Sequence, residues 1–131
     1  MEKEEYTKLW IKKADDDLRV AKRELHYDDA VLDAVCFHFQ QAVEKYAKGF
    51  LANSLQKIEK THNLEFLLEK CIQVDRDFVK FEEKFDNISE CGVEVRYPDS
   101  YITFSKPELE EVLEVVEEFR AFVLSKLKLS N

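Results

Sequence analysis

Between positions 96 and 101 the chain reads Arg96-Tyr97-Pro98-Asp99-Ser100-Tyr101, gathering a guanidinium, a carboxylate, a hydroxyl and two phenols around one stiffening proline. Arginine suits a phosphate better than any other side chain, because its planar fork donates two parallel hydrogen bonds and its charge is permanent. A phosphate-directed site on Arg96, Asp99 and Tyr101 is therefore chemically sensible. The plainer alternative is that Arg96 pairs with Asp99 or a helix carboxylate while the tyrosines cover the core, which is the commoner fate of charged loop residues.

A second candidate lies earlier. His38, Gln41, Lys45 and Lys48 recur at steps of three and four, so on a helix they share one stripe. Imidazole moves protons near neutral pH and lysines hold phosphate. Against this, a single His on an apolar helix more often satisfies a buried hydrogen bond. Asp15-Asp16-Asp17 does not make a metal site, since consecutive helical residues diverge by about 100°; a solvated face is expected. His26, His38 and His62 lack the spacing of a helical zinc pair, and there is no glycine-rich phosphate loop, so no cofactor and no metal are expected.

The elements that must position these residues are helical. The chain has 131 residues, 45% of them apolar, enough for one domain with a real core and too few for two ordinary ones, so 1–131 is read as a single domain. Only two glycines and two prolines occur, all between Gly49 and Pro107, which leaves both ends clear of helix breakers. Trp10, Ala14, Leu18, Ala21 and Leu25 mark one face of a long helix over about 4–26. Asp28 or Asp29 is the expected N-cap of a second helix, about 29–55, which is apolar around most of its circumference and therefore central. Gly49 within it predicts either close approach by another helix or weak order near the helix end. Thr61 or Asn63 should cap a short helix carrying Leu64, Leu67, Leu68 and Cys71. Phe78, Phe81, Phe85 and Ile88 form the seam of a fourth helix ending at Cys91-Gly92. Ser105-Lys106-Pro107-Glu108 reads as a capping box that opens the last helix, with Phe104 stapling against Leu109. The expected fold class is all-α, an antiparallel up-and-down helical bundle of four to five helices.

Charged residues make up 37% of the chain and the formal net charge is -8, which argues against a general nucleic-acid coating protein. The bias toward Glu and Lys is also that of proteins from heat-loving sources, a weak classifier for one chain. Cys36, Cys71 and Cys91 are odd in number and form no Cys-x-x-Cys pair, so they are expected to be reduced thiols of a soluble, unprocessed, cytoplasmic protein. No apolar stretch approaches a bilayer span and no membrane association is expected.

Phe37-His38-Phe39-Gln40-Gln41-Ala42-Val43-Glu44-Lys45 in the long helix, Thr61-His62-Asn63-Leu64 before the third, and Arg96-Tyr97-Pro98 in the late loop resemble the HEPN family in order and placement over nearly the whole chain. The resemblance implies a four- to five-helix bundle, commonly a homodimer, with the late Arg at or near the dimer cleft. It also implies one of several activities: metal-independent RNases, toxins encoded beside a small nucleotidyltransferase, and members that only bind nucleotides or partners. In the RNase members the Arg is followed after four to six residues by a His, which handles the 2'-hydroxyl proton while Arg stabilises the phosphorane. This sequence keeps Arg96, but position 101 is Tyr101 and no His follows Arg96. A phenol with an ordinary pKa of about 10 is a poor base at neutral pH. His38 or His62 replaces the missing shuttle only if folding or dimerisation brings one beside Arg96.

Three readings result. The favoured one is a non-catalytic protein that binds a nucleotide or a nucleotidyltransferase partner in a toxin-antitoxin-like system, with Arg96, Asp99, Lys45 and His38 as phosphate ligands. The second is an RNase toxin with an Arg-x4-Tyr motif, Arg96 and Tyr101 being its catalytic pair and RNA its substrate. The third is a structural dimerisation module in which Phe78, Phe81 and Phe85, or an exposed part of the central helix, bury against a second copy. Tyr97 and Tyr101 are also candidates to accept a nucleotidyl group from a partner.

Overall fold

A computed structural model describes residues 2–91 and 104–129. Its elements are α1 (Lys3–Leu25), α2 (Leu32–Asn53), α3 (Leu64–Val74), a 3-10 helix (Arg76–Phe81), α4 (Asp86–Cys91) and α5 (Lys106–Lys126). No strand occurs among the described residues. Arg96, Tyr97, Asp99 and Tyr101 lie outside them.

Helices α1 and α2 form an antiparallel hairpin. Residue pairs run in opposite order along the two chains, with Trp10 and Ile11 against Gly49, Asp15 against Tyr46 and Asp17 against Lys45. The apolar stripe of α1 supplies Ala14, Leu18, Ala21 and Leu25 to the core. Gly49 explains how closely the helices meet: a Cβ there would lie 2.8 Å from Ile11 Cδ1 and 3.4 Å from Trp10 Cβ. Of the two roles expected for this glycine, close approach is the one observed.

The turn between α1 and α2 differs from expectation. Val31, rather than Asp28 or Asp29, occupies the N-cap, and its amide donates to Glu24 Oε2 at 2.9 Å. A carboxylate from the preceding helix thus satisfies the free amide that a local cap would have taken. At its other end α2 closes with Leu55 N–H on Ala52 O (3.1 Å) and Gln56 N–H on Leu51 O (2.9 Å). This is a Schellman closure, with Leu55 at φ 60 in the place usually given to glycine.

After α2 the chain doubles back. By His62 it lies beside Glu44 and Gln40, whose side chains bond the His62 ring and carbonyl. Asn63 then caps α3 by accepting from Phe66 N–H at 3.0 Å. The fourth helix expected from the phenylalanine seam is divided into the 3-10 helix and α4. Asp75 accepts from Asp77 N–H at 2.9 Å and starts the tighter turn. The capping box at α5 is present as expected, Ser105 accepting from Glu108 N–H and Glu108 accepting from Ser105 N–H. Helix α5 runs parallel to α2, since Arg120 reaches the Asp15–Tyr46 pair and Lys128 N–H donates to Asn53 Oδ1.

Phe78, Phe81 and Phe85 are buried within one chain, against Phe119 and Phe122 of α5 and Phe50 of α2, with ring centroids 4.5 to 6.0 Å apart. Burying each such ring contributes about 1.5–3 kcal/mol. The seam is therefore core, and the expectation that it serves as a dimerisation surface is corrected. The expectation of three reduced thiols is corrected too: Cys36 of α2 and Cys91 of α4 form a disulfide with Cα atoms 5.0 Å apart, and Cys71 alone is free and buried. Sequence spacing could not reveal the pair, because the two cysteines are 55 residues apart.

Candidate functional site

The polar stripe of α2 is divided between two carboxylates. His38 Nδ1 donates to Asp17 Oδ1 at 2.8 Å, and Lys45 Nζ donates to Asp17 Oδ2 at 2.5 Å. Asp17 is nearly buried, while the His38 and Lys45 side chains keep 28% and 23% of their surface exposed. One carboxylate thus fixes two cationic or protonatable groups at the edge of the α1–α2 seam, and Nε2 of His38 is the ring nitrogen left to act as a base.

One turn further along α2, Glu44 does the same for a second pair. His62 Nδ1 donates to Glu44 Oε1 at 2.8 Å and Lys48 Nζ to Glu44 Oε2 at 3.0 Å. Here the carboxylate and the lysine are almost fully buried, at 4% and 7%, and the imidazole is 62% exposed. Burying a charge is costly unless it is paired, and this pair neutralises itself inside the protein. Gln41 donates to Gln40 Oε1 at 2.8 Å, and Gln40 donates to the His62 carbonyl at 3.1 Å, so the backbone carrying His62 is also held from α2. The structure brings His38 and Lys45 together as the stripe suggested, but assigns Lys48 to the neighbouring constellation.

A third carboxylate, Asp15, accepts from the Tyr46 hydroxyl and from Arg120 Nε at 2.8 Å. Burial, followed by the Asp15 carboxylate, pushes the Tyr46 phenol well above its ordinary range, and the hydrogen bond from Arg120 to Asp15 raises the Arg120 guanidinium further. A permanently protonated phenol cannot serve as a base, so this group is structural. Of the three consecutive aspartates, only Asp16 has the solvated role expected for the run, pairing with Lys12 and Arg19 on the surface. The other two carry tertiary contacts that sequence reasoning missed. Tyr46 in the apolar run was the available signal, since a buried phenol demands an acceptor. Glu44 in the same run demanded a cation, which Lys48 supplies four residues on.

A model of the HEPN domain matches residues 7–127. The chain belongs to the HEPN family. A relative from Methanocaldococcus jannaschii, named "Putative toxin MJ1304", is 31% identical over an alignment of 140 positions, gaps included, that covers 87% of this chain and 88% of the relative. No solved structure matches the chain. In this HEPN domain the family-like segment Phe37 to Lys45 is the part of α2 that carries His38, Glu44 and Lys45, and Thr61-His62-Asn63 supplies both the cap of α3 and the imidazole on Glu44. No described helix is long and apolar enough to cross a membrane.

Proposed function

We propose that this HEPN chain is a single-domain member of a toxin-antitoxin-like system that binds a nucleotide or a small nucleotidyltransferase partner without itself cleaving RNA. The supporting observation is the Asp17-anchored pair, in which His38 and Lys45 are held side by side at an exposed edge, a preorganised arrangement for phosphate oxygens. Arg96 and Asp99 complete the phosphate-binding set in this reading. The name of the archaeal relative supports the toxin context. The protein acts as a cytoplasmic homodimer, and Val31 and Phe37, 59% and 43% exposed on the opening turns of α2, are the apolar residues offered to a second copy.

A second reading, a metal-independent RNase using Arg96 and Tyr101, draws support from His62. Glu44 accepts from His62 Nδ1 and orients its exposed ring, as the orienting carboxylate of a proton shuttle would. Titration of wild type, Arg96→Ala and Lys45→Ala against ATP and short RNA, with the RNA recovered and checked for cleavage, separates the two. Weakened binding in both variants with intact RNA supports the binding protein. Metal-independent cleavage that disappears in Arg96→Ala and His62→Ala establishes the RNase instead.

A further inference from the structure

Arg19, Lys22, Arg23 and His26 follow one another at helical steps of three, one and three at the end of α1, so their side chains share one stripe. They line two adjoining shallow depressions of about 320 and 460 Å³ that have Lys22 and Arg23 in common; Arg120 of α5 also lines the first and Tyr27 the second. Like charges at these spacings repel. The helix dipole favours cations in the last turn of α1, but it has no bearing on Arg120, which comes from another helix. Among the described residues Asp15 is the one carboxylate lining these depressions, and it occupies Nε and Nη2 of Arg120. Asp16 pairs with Arg19 at an exposed position, Glu117 stands 3.9 Å from Lys22, and Arg23 has no ion-pair partner among the described residues. In a chain with net charge -8 this is a local cationic groove.

The far end of the groove has a different character. Tyr27 is 59% exposed and meets His26 edge to face, with ring centroids 5.8 Å apart. A groove that combines cations with an exposed aromatic platform is how proteins hold single-stranded nucleic acid: guanidinium and ammonium groups follow the phosphates, and a base stacks on the ring. An acidic polypeptide would use the cations but leave the platform idle. The cavity of about 430 Å³ between α3 and α4 is rimmed by Glu65, Glu69, Glu82 and Asp86, and repels a polyanion from that side.

We infer that the α1–α5 groove binds a short single strand of RNA, its phosphates on Arg19, Lys22, Arg23 and Arg120 and one base against Tyr27. This site is separate from the His38–Lys45 pair and stands or falls independently of it.

Fluorescence anisotropy with a labelled twelve-nucleotide oligouridylate tests the inference on the full chain. The double variant Lys22→Ala/Arg23→Ala should bind at least tenfold more weakly, with a salt dependence shallower by about 1.4 in log-log slope for two lost phosphate contacts. Tyr27→Ala should lose about fivefold or more with the slope unchanged, because stacking releases no counterions. All three side chains are exposed, and matching melting curves confirm that the variants fold. Lys84→Ala, which removes an exposed cation outside the groove's lining, should bind the oligonucleotide within twofold of wild type. Undetectable binding by wild type, undiminished binding by the double variant, or competition by polyglutamate as effective as by RNA each overturns the inference. Loss confined to Lys45→Ala overturns it while sparing the α2 site.

Discussion

Asp15 and Tyr46 are joined across the α1–α2 interface by a hydrogen bond whose acceptor oxygen also receives Nε of Arg120 from α5. Three helices are thereby tied at one carboxylate, and the phenol at its centre has no exposed surface.

Tyr46→Phe should lower stability by about 1.5–3 kcal/mol, the usual net value of a hydrogen bond to a charged group, with Asp15 still held by Arg120. The pH dependence has a definite sign. The folded phenol is held above its ordinary pKa, so its contribution is complete below about pH 10. It falls by up to about 1.4 kcal/mol per pH unit above that, where only the unfolded chain gives up the proton. Urea melts from pH 7 to 11 should therefore show wild type and variant converging at high pH. Parallel curves would refute this account.

Gly49→Ala should change stability by less than about 0.5 kcal/mol, because the roughly 1 kcal/mol gained in helix propensity is spent moving Ile11 Cδ1 out of the way. Combined with Ile11→Val, which removes that methyl group, the same alanine should become stabilising by about 1 kcal/mol relative to Ile11→Val alone. Additive effects in this cycle would mean that the two helices do not meet as described.

Leu55 is 78% exposed and sits at φ 60, so its side chain contributes little while its backbone is strained. Leu55→Gly should stabilise the protein by about 0.5–1 kcal/mol, relief of the left-handed penalty exceeding the greater freedom of the unfolded glycine. A lowered denaturation midpoint would show that the closure of α2 is not as observed.

Reduction should cost about 2–4 kcal/mol by releasing the long loop closed by Cys36 and Cys91. The test is a thermal melt with and without dithiothreitol. Wild type should respond and Cys36→Ala should not; equal responses would place the effect elsewhere.

Much of the fold was legible because it rests on local periodicity and caps. The stripe of α1, the apolar circumference of α2, Asn63 before α3 and the Ser105–Glu108 box each declare themselves within a few residues. The split between the 3-10 helix and α4 was not legible, since Phe78, Phe81 and Phe85 keep the spacing of a continuous helix. Val31 as N-cap was hidden because its amide is satisfied by Glu24, seven residues back. The candidate site was half visible: His38 and Lys45 share a stripe by spacing alone, but Asp17, Glu44 and His62 join it only once α1 packs and the chain doubles back over α2. Arg96, Asp99 and Tyr101 lie outside the described residues.

The run Asp15-Asp16-Asp17 has one more consequence. Its three carboxylates serve Tyr46 and Arg120, the solvent-side cations, and His38 with Lys45. These directions are set by a rotation of about 100° per residue. The run therefore works as a key cut on three sides: inserting or deleting a single residue just ahead of it would turn α1 against its neighbours and misplace every tooth at once. A substitution here removes one set of contacts, whereas a change in the length of α1 displaces all three.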